Sequence, residues 1–239
     1  MFLHHNTIDM KTTEAIQNRR TQKVLADNNW STRDEDRIRE SVTDLLRLAA
    51  RAPYHTPVHP SHTEGGGSEL TSTVPWRFYC LTARACRETA SYMQAVGLNP
   101  RKLGNMLNAA DTLLLVTWLP DPPTVEMLSH NSIPDPSEAV PFEGNLRNME
   151  HIAAASAAIQ NVLLGATAAG IPNYWSSGGL LRNANLRERL GVPLKEVLLG
   201  AVFLFPPDSE QREGTILTGK MREQGKELNS WSKWIGGSQ

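Results

Sequence analysis

Arg19, Arg20 and Lys23 stand within five residues of one another around the hydroxyl of Thr21, in the stretch AIQNRRTQKVLAD. Such a group suits an anion, because guanidinium and ammonium donors supply charge-assisted hydrogen bonds worth roughly 1.5 to 3 kcal/mol each. A second cationic group lies near the other end of the chain, where TGKMRE places Lys220 and Arg222 beside a hydroxyl. Folded together, the two segments would clamp a phosphate. Folded apart, they are two solvated basic patches, and spacing by itself leaves both readings open. A third stretch, YWSSGG at 174 to 179, would let backbone N–H groups face a planar ligand, since no bulky Cβ branch stands in the way. It reads equally as a plain turn between helix and strand. APYHT at 52 to 56 and VPWRF at 74 to 78 frame a loop that could wall a pocket, with Trp76 expected as a core anchor.

These groups depend on the elements that carry them. Thr12 or Thr13 is expected to cap a first helix running to about Arg20, and Ser31 or Thr32 a second, amphipathic helix ending at Pro53. Residues 57 to 73 are rich in Gly, Pro and small polar residues and read as a loop; residues 120 to 144 hold six prolines and read as another. WRFYCLTA (76 to 83), TLLLVTWL (112 to 119) and EVLLGAVFLFP (196 to 206) read as strands, the last two built on continuous apolar runs and therefore central. Helices are expected over ACRETASYMQAVG, RKLGNMLNAAD, the Ala-rich stretch from about Asn145 to Ala169, and NANLRERLG. The order is that of an α+β layered domain, with a small sheet enclosed by helices, and a single domain over residues 1 to 239 is expected.

Composition narrows the function class. Formal net charge is −1, so no whole-molecule field draws the protein to nucleic acid or anionic lipid, and an anion site must be local. Cys80 and Cys86 match neither zinc-knuckle nor redox-pair spacing. The opening residues lack the apolar core of a signal peptide, which points to a cytoplasmic protein. IAAASAAIQNVLLGATAAGI carries no charge but is mostly Ala with a central Gln-Asn pair, so a buried, closely packed helix is expected rather than a membrane span.

Taken in order, these motifs resemble the nitroreductase family of flavin enzymes over nearly the whole chain. Arg19, Arg20 and Thr21 match the family's Arg-Arg-Ser-like motif; Ala52 and Pro53 its Ala-Pro-Ser-like turn; Pro75, Trp76 and Phe78 its Pro-Trp-x-Phe strand start. The Ala-rich helix with Gln160 and Asn161, the following Trp175 and Gly178, and Lys220-x-Arg222 complete the pattern. The resemblance implies a nitroreductase-like α+β sandwich with a mostly antiparallel sheet, an interlocked homodimer, and FMN sites at the subunit interface. It implies reduction of nitroaromatic or quinone-like small molecules with electrons from NADH or NADPH, by ping-pong hydride transfer through flavin N5. The alternative is a flavin-cleaving or flavin-storing protein of the same fold.

By the same resemblance, Arg19, Arg20, Thr21, Lys220 and Arg222 would hold the FMN phosphate and ribityl chain, and Lys23 would lie near the polar pyrimidine edge. Trp175, Ser176, Ser177 and Gly178 would cover one ring face, with an N–H of Ser177 or Gly178 near N5. Pro53, Tyr54 and His55 would come from the partner subunit. No catalytic side chain is named. Two departures stand out: Tyr54 and His55 replace small residues, and the loop to Thr73 is an addition. His55, His59 and His62 are read as part of a mobile loop rather than as a metal site, since Pro57, Pro60 and consecutive glycines do not pre-organise them. Trp231 and Trp234 are expected to pack on the core or the partner subunit.

Overall fold

A computed structural model describes residues 11–63, 70–122, 142–221 and 225–236. In chain order its regular elements are α1 (Thr12–Asn18), β1 (Gln22–Leu25), α2 (Glu35–Ala49), β2 (Trp76–Thr82), α3 (Ala83–Ala95), α4 (Lys102–Ala109), β3 (Thr112–Trp118), α5 (Leu146–Ala168), β4 (Asn173–Ser176), α6 (Ala184–Arg189), β5 (Val197–Leu204) and β6 (Thr215–Thr218). Four strands form an antiparallel sheet in the order β2-β3-β5-β4, and β1 pairs with β6 in a separate antiparallel ribbon.

Strand β3 is buried at every position, as its unbroken apolar run requires of a strand covered on both faces. Its side chains alternate between two cores. Leu113 and Leu115 join α3, α4 and α6 on one face, whereas Leu114 and Val116 meet α2 and α5 on the other. The small residues of α5 serve this second core by letting backbones approach. A methyl group at Gly165 would stand 2.5 Å from Leu48 Cδ1, and Asn161 Nδ2 donates to the Leu48 carbonyl at 3.1 Å, locking α5 against the end of α2. Among the described residues no helix is long and apolar enough to cross a membrane.

The β3–β5 ladder slips between Val116, opposite Gly200, and Thr117, opposite Leu198, so that Leu199 is an extra residue. This bulge reverses the facing of β5: Leu198 lies in the first core with Ala201 and Phe203, three and five residues on, instead of at even spacing. Gly200 is required beside it, because a Cβ there would meet Trp175 Nε1 at 2.3 Å and the Ser176 carbonyl oxygen at 2.6 Å.

Several local expectations are corrected. Lys11 precedes α1 without a side-chain cap, so neither Thr12 nor Thr13 caps it, and the helix stops at Asn18 because Arg19 turns extended into β1. Asp34, rather than Ser31 or Thr32, caps α2, accepting from the N–H groups of Asp36 (3.1 Å) and Arg37 (3.3 Å). That helix ends at Ala49, short of Pro53, which disfavours helical geometry in the residue before it. Strands β1, β4 and β6 form in segments for which the sequence suggests no strand. Within the loop of 57 to 73 a 3-10 turn forms at Pro60–His62, while residues 64–69, and most of the 120 to 144 segment, lie outside the described residues. Trp231 and Trp234 are 64% and 94% exposed, so they do not pack on the core of their own chain.

Candidate functional site

The ribbon of β1 and β6 joins segments nearly two hundred residues apart. Gln22 faces Thr218 and Lys23 faces Leu217, and beyond the last pair the Gly219 N–H donates to the Thr21 carbonyl at 3.0 Å. Contact there is tight: a Cβ on Gly219 would lie 2.9 Å from Thr21 Cβ. The result is a cleft of about 580 Å3 lined by Arg19, Arg20, Thr21, Lys23, Tyr174 and residues 217–221. The two cationic groups seen in the sequence therefore share one surface, Lys220 included. Arg222 lies outside the described residues.

Among the described residues no carboxylate lines this cleft, and Arg20, Lys23 and Lys220 make no ion pair. A contrasting groove of about 560 Å3 between α2 and the outer edge of β2 also holds arginines, but its charges are matched: Arg33 donates to Asp111 at 3.0 Å and Arg39 to Glu35 at 2.9 Å. Positive charge on Arg20, Lys23 and Lys220 around a hydroxyl-bearing turn is the donor set an anionic ligand needs. Lys23, half-buried, rests instead on an aromatic face, its Nζ 4.5 Å from the centroid of Tyr174.

Tyr174 was not singled out from the sequence. Strand β4 presents Tyr174 and Trp175 to opposite faces of the sheet. Tyr174 stacks on Phe203 in the first core and reaches the cleft, while Trp175 turns to the α5 side and packs over Gly200. Trp175 accordingly does not line the cleft. Period-two alternation through NYWS was the signal that would have separated the two, but four residues are too few to establish it.

After β4 the chain makes a sharp turn. Gly178 adopts φ +107°, a conformation open to glycine, and its N–H donates to Ser176 Oγ at 3.2 Å. Arg182 fixes this turn to the sheet. Its Nε donates to the Ser177 carbonyl (2.8 Å) and its terminal nitrogens to the carbonyls of Leu198 (2.7 Å) and Leu199 (3.4 Å), which lie beyond the last β4–β5 pair, Ser176 opposite Ala201. Partial burial pushes the Arg182 pKa down from its ordinary value. Ser177 stays exposed and Gly178 buried.

Pro53, Tyr54 and His55 stand apart from the cleft, following α2 on the second core. Tyr54 packs edge-on against Trp76 with ring centroids 5.8 Å apart, and Trp76 is itself buried as expected. Neighbouring histidines serve local structure. His59 Nδ1 pairs with Ser61 Oγ at 2.9 Å, and His62 Nε2 donates to the Pro120 carbonyl at 2.7 Å. Burial lowers the His62 pKa, which favours the neutral ring. Among the described residues no cluster of His, Cys, Asp or Glu is arranged to hold a metal.

Both thiols are poor nucleophiles at neutral pH. Desolvation pushes Cys80 up to about 11 and the fully buried Cys86 up to about 12. Buried Glu196, held by the hydroxyls of Tyr79 (2.9 Å) and Thr117 (2.5 Å), ties β2, β3 and the start of β5 together and lies off the cleft.

The sequence matches the model of a family described as the nitroreductase family over residues 16–204. Among solved structures, a nitroreductase-like family protein from Bacillus cereus is similar, with a TM-score of 0.58 at 17% identity, covering 99% of this chain and 100% of that one. So is NfnB, an FMN and NADPH-dependent nitroreductase from Sphigopyxis sp. strain HMH, with a TM-score of 0.53 at 14% identity, covering 95% and 100%. At such identities the likeness is one of fold. No curated protein matches the sequence significantly.

Proposed function

Because the chain belongs to the nitroreductase family, we propose that it is an FMN-dependent oxidoreductase that uses NADH or NADPH to reduce nitroaromatic or quinone-like small molecules. The observation that carries this reading is the cleft between residues 19–23 and 217–221, cationic, without a carboxylate among its described lining residues and set around Thr21. Its donor set fits a flavin phosphate: Arg19, Arg20, Thr21 and Lys220 would bind it, with Arg222 as a further ligand.

FMN, when bound, supplies the hydride relay between nicotinamide and acceptor. The protein's part is to hold and orient. Lys23 would place positive charge at the polar edge of the ring. The turn pinned by Arg182 would set its backbone against the ring, and because the Gly178 N–H is engaged by Ser176 Oγ, the N–H of Ser177 is the group assigned to N5. With the thiols held protonated, no side-chain nucleophile is invoked.

A homodimer completes the site in this reading, bringing Pro53, Tyr54 and His55 of one chain to the cleft of the other. Exposed Ile16, Leu48, Leu146 and Met149 on α1, α2 and α5, with Trp231, Trp234 and Ile235 in the tail, support association through apolar surface.

The deciding experiment is a visible spectrum of the purified protein mixed with FMN, recorded anaerobically before and after NADH or NADPH. Expected are a bound-flavin spectrum, bleaching by a nicotinamide, and recovery when a nitroaromatic or quinone is added, with ping-pong kinetics in steady state. Failure to bind FMN refutes the proposal. Loss of FMN itself under reducing, aerobic conditions selects flavin cleavage, and bound flavin inert to every donor and acceptor selects storage.

A further inference from the structure

Lys23 differs from Arg20 and Lys220 in how it is held. Arg20 and Lys220 are exposed, whereas Lys23 is half-buried and its ammonium lies 4.5 Å from the centre of the Tyr174 ring. That ring is the outer member of a column. Tyr174 stacks on Phe203 with centroids 6.2 Å apart and planes 19° from parallel, and Phe203 stacks on Phe205 at 6.0 Å and 10°. Both phenylalanines are wholly buried, and Tyr174 faces Phe203 in the β4–β5 register, so its backbone is anchored as well as its ring. Tyr174 cannot swing aside without disturbing packed core.

Strand β1, which carries Lys23, pairs with β6 and with no strand of the four-stranded sheet. The side chain nevertheless crosses to β4. A free lysine has a flexible four-carbon stem, and something must fix its charge if that charge is to act at one point. A carboxylate would fix it and cancel it. An aromatic face fixes the ammonium through the ring quadrupole and leaves its positive charge in place.

We infer that Tyr174 is a positioning residue: it holds the Lys23 ammonium in the cleft as an uncancelled positive charge for the electronegative edge of bound FMN. The inference rests on the flavin reading of the cleft, and one arm of its test does not.

That arm uses the ligand-free protein, isotopically labelled at lysine and assigned with Lys23→Arg. Ring current from Tyr174 shifts the Lys23 ε-CH2 proton resonance upfield of its random-coil position. The shift persists in Tyr174→Phe, which keeps the ring, and disappears in Tyr174→Leu. The second arm titrates the same proteins with FMN and measures the midpoint potential of the complex. Tyr174→Leu weakens FMN binding roughly tenfold, within the range a lost cation–π contact allows, and makes the potential more negative; Tyr174→Phe restores both. A random-coil Lys23 resonance in the native protein overturns the inference, and this needs no variant to fold. So does a Tyr174→Phe protein as impaired as Tyr174→Leu, which would assign the effect to the hydroxyl. If native protein binds no FMN while the ring-current shift is present, the flavin reading fails and the Lys23–Tyr174 placement stands.

Discussion

Replacing Arg182 by Met tests whether the turn after β4 is held by hydrogen bonds or merely by packing. Met keeps an unbranched stem against Gly178, whose Cβ position lies 3.4 Å from Arg182 Cγ, and removes every guanidinium bond. Of the three bonds lost, those to Ser177 (2.8 Å) and Leu198 (2.7 Å) are short and the one to Leu199 is long at 3.4 Å. Two charge-assisted bonds at about 1.5 kcal/mol each, the low end of their range, give about 3 kcal/mol. Water reaching the half-exposed site restores part of it, leaving about 2 kcal/mol. For a chain of this length that corresponds to a fall of about 4 to 8 °C in the thermal midpoint. The Leu198 carbonyl belongs to a buried residue inside the β5 bulge, so little else is available to it. Differential scanning calorimetry measures the stability loss, and flavin fluorescence quenching measures FMN affinity on the same samples, which should weaken roughly tenfold as the turn loosens. Arg182→Lys should recover part of both. A midpoint within 1 °C of native would show that the bonds contribute nothing net. Loss of stability with unchanged FMN affinity would separate the turn from the cofactor site and refute its assignment.

Arg20→Ala and Lys220→Ala remove exposed cations, so the melting curve should be unchanged while FMN affinity, measured by equilibrium dialysis, falls roughly tenfold or more for each and loses part of its salt dependence. Gly200→Ala places a methyl group 2.3 Å from Trp175 Nε1 and 2.6 Å from the Ser176 carbonyl oxygen; denaturant titration should show a loss of about 1 to 3 kcal/mol, and a neutral result would mean that β4 shifts freely on β5. Cys80 belongs to an exposed residue, yet its sulfur is desolvated and its pKa raised from 9.0 to about 11, so at pH 8 iodoacetamide should modify it about a hundredfold more slowly than an ordinary thiol, the rate climbing until about pH 11. Mass spectrometry of the alkylated peptide reads that rate, and reaction as fast as free cysteine at pH 8 would contradict the burial of the thiol.

The central architecture was legible because its signals are long and local. An unbroken apolar run announced β3, the Ala-rich stretch announced a closely packed α5, and Gly97 and Gly170, both with positive φ, stand just past the helices they terminate. Short elements were not legible. Strands β1, β4 and β6 are four residues each, too short for alternation to declare itself, and β1 and β6 become strands by pairing with each other across the length of the chain. Helix caps were misplaced for a similar reason: Thr and Ser at the right distance were chemically competent, but the backbone turned at Asp34 and the carboxylate there met the free N–H groups.

By itself the sequence determined which residue types were available for an anion, Arg19, Arg20, Thr21, Lys23 and Lys220, and that no net field would substitute for them. Tertiary structure alone decided that they share a cleft, because a ribbon of backbone hydrogen bonds between distant segments brings them together. It also decided that Tyr174, and not Trp175, joins them, and that Arg182 holds the adjoining turn. The first follows from which face of β4 meets Phe203, the second from β5 carbonyls that lie beyond the end of the β4 ladder, and neither sheet facing nor the end of a ladder is written in residue types.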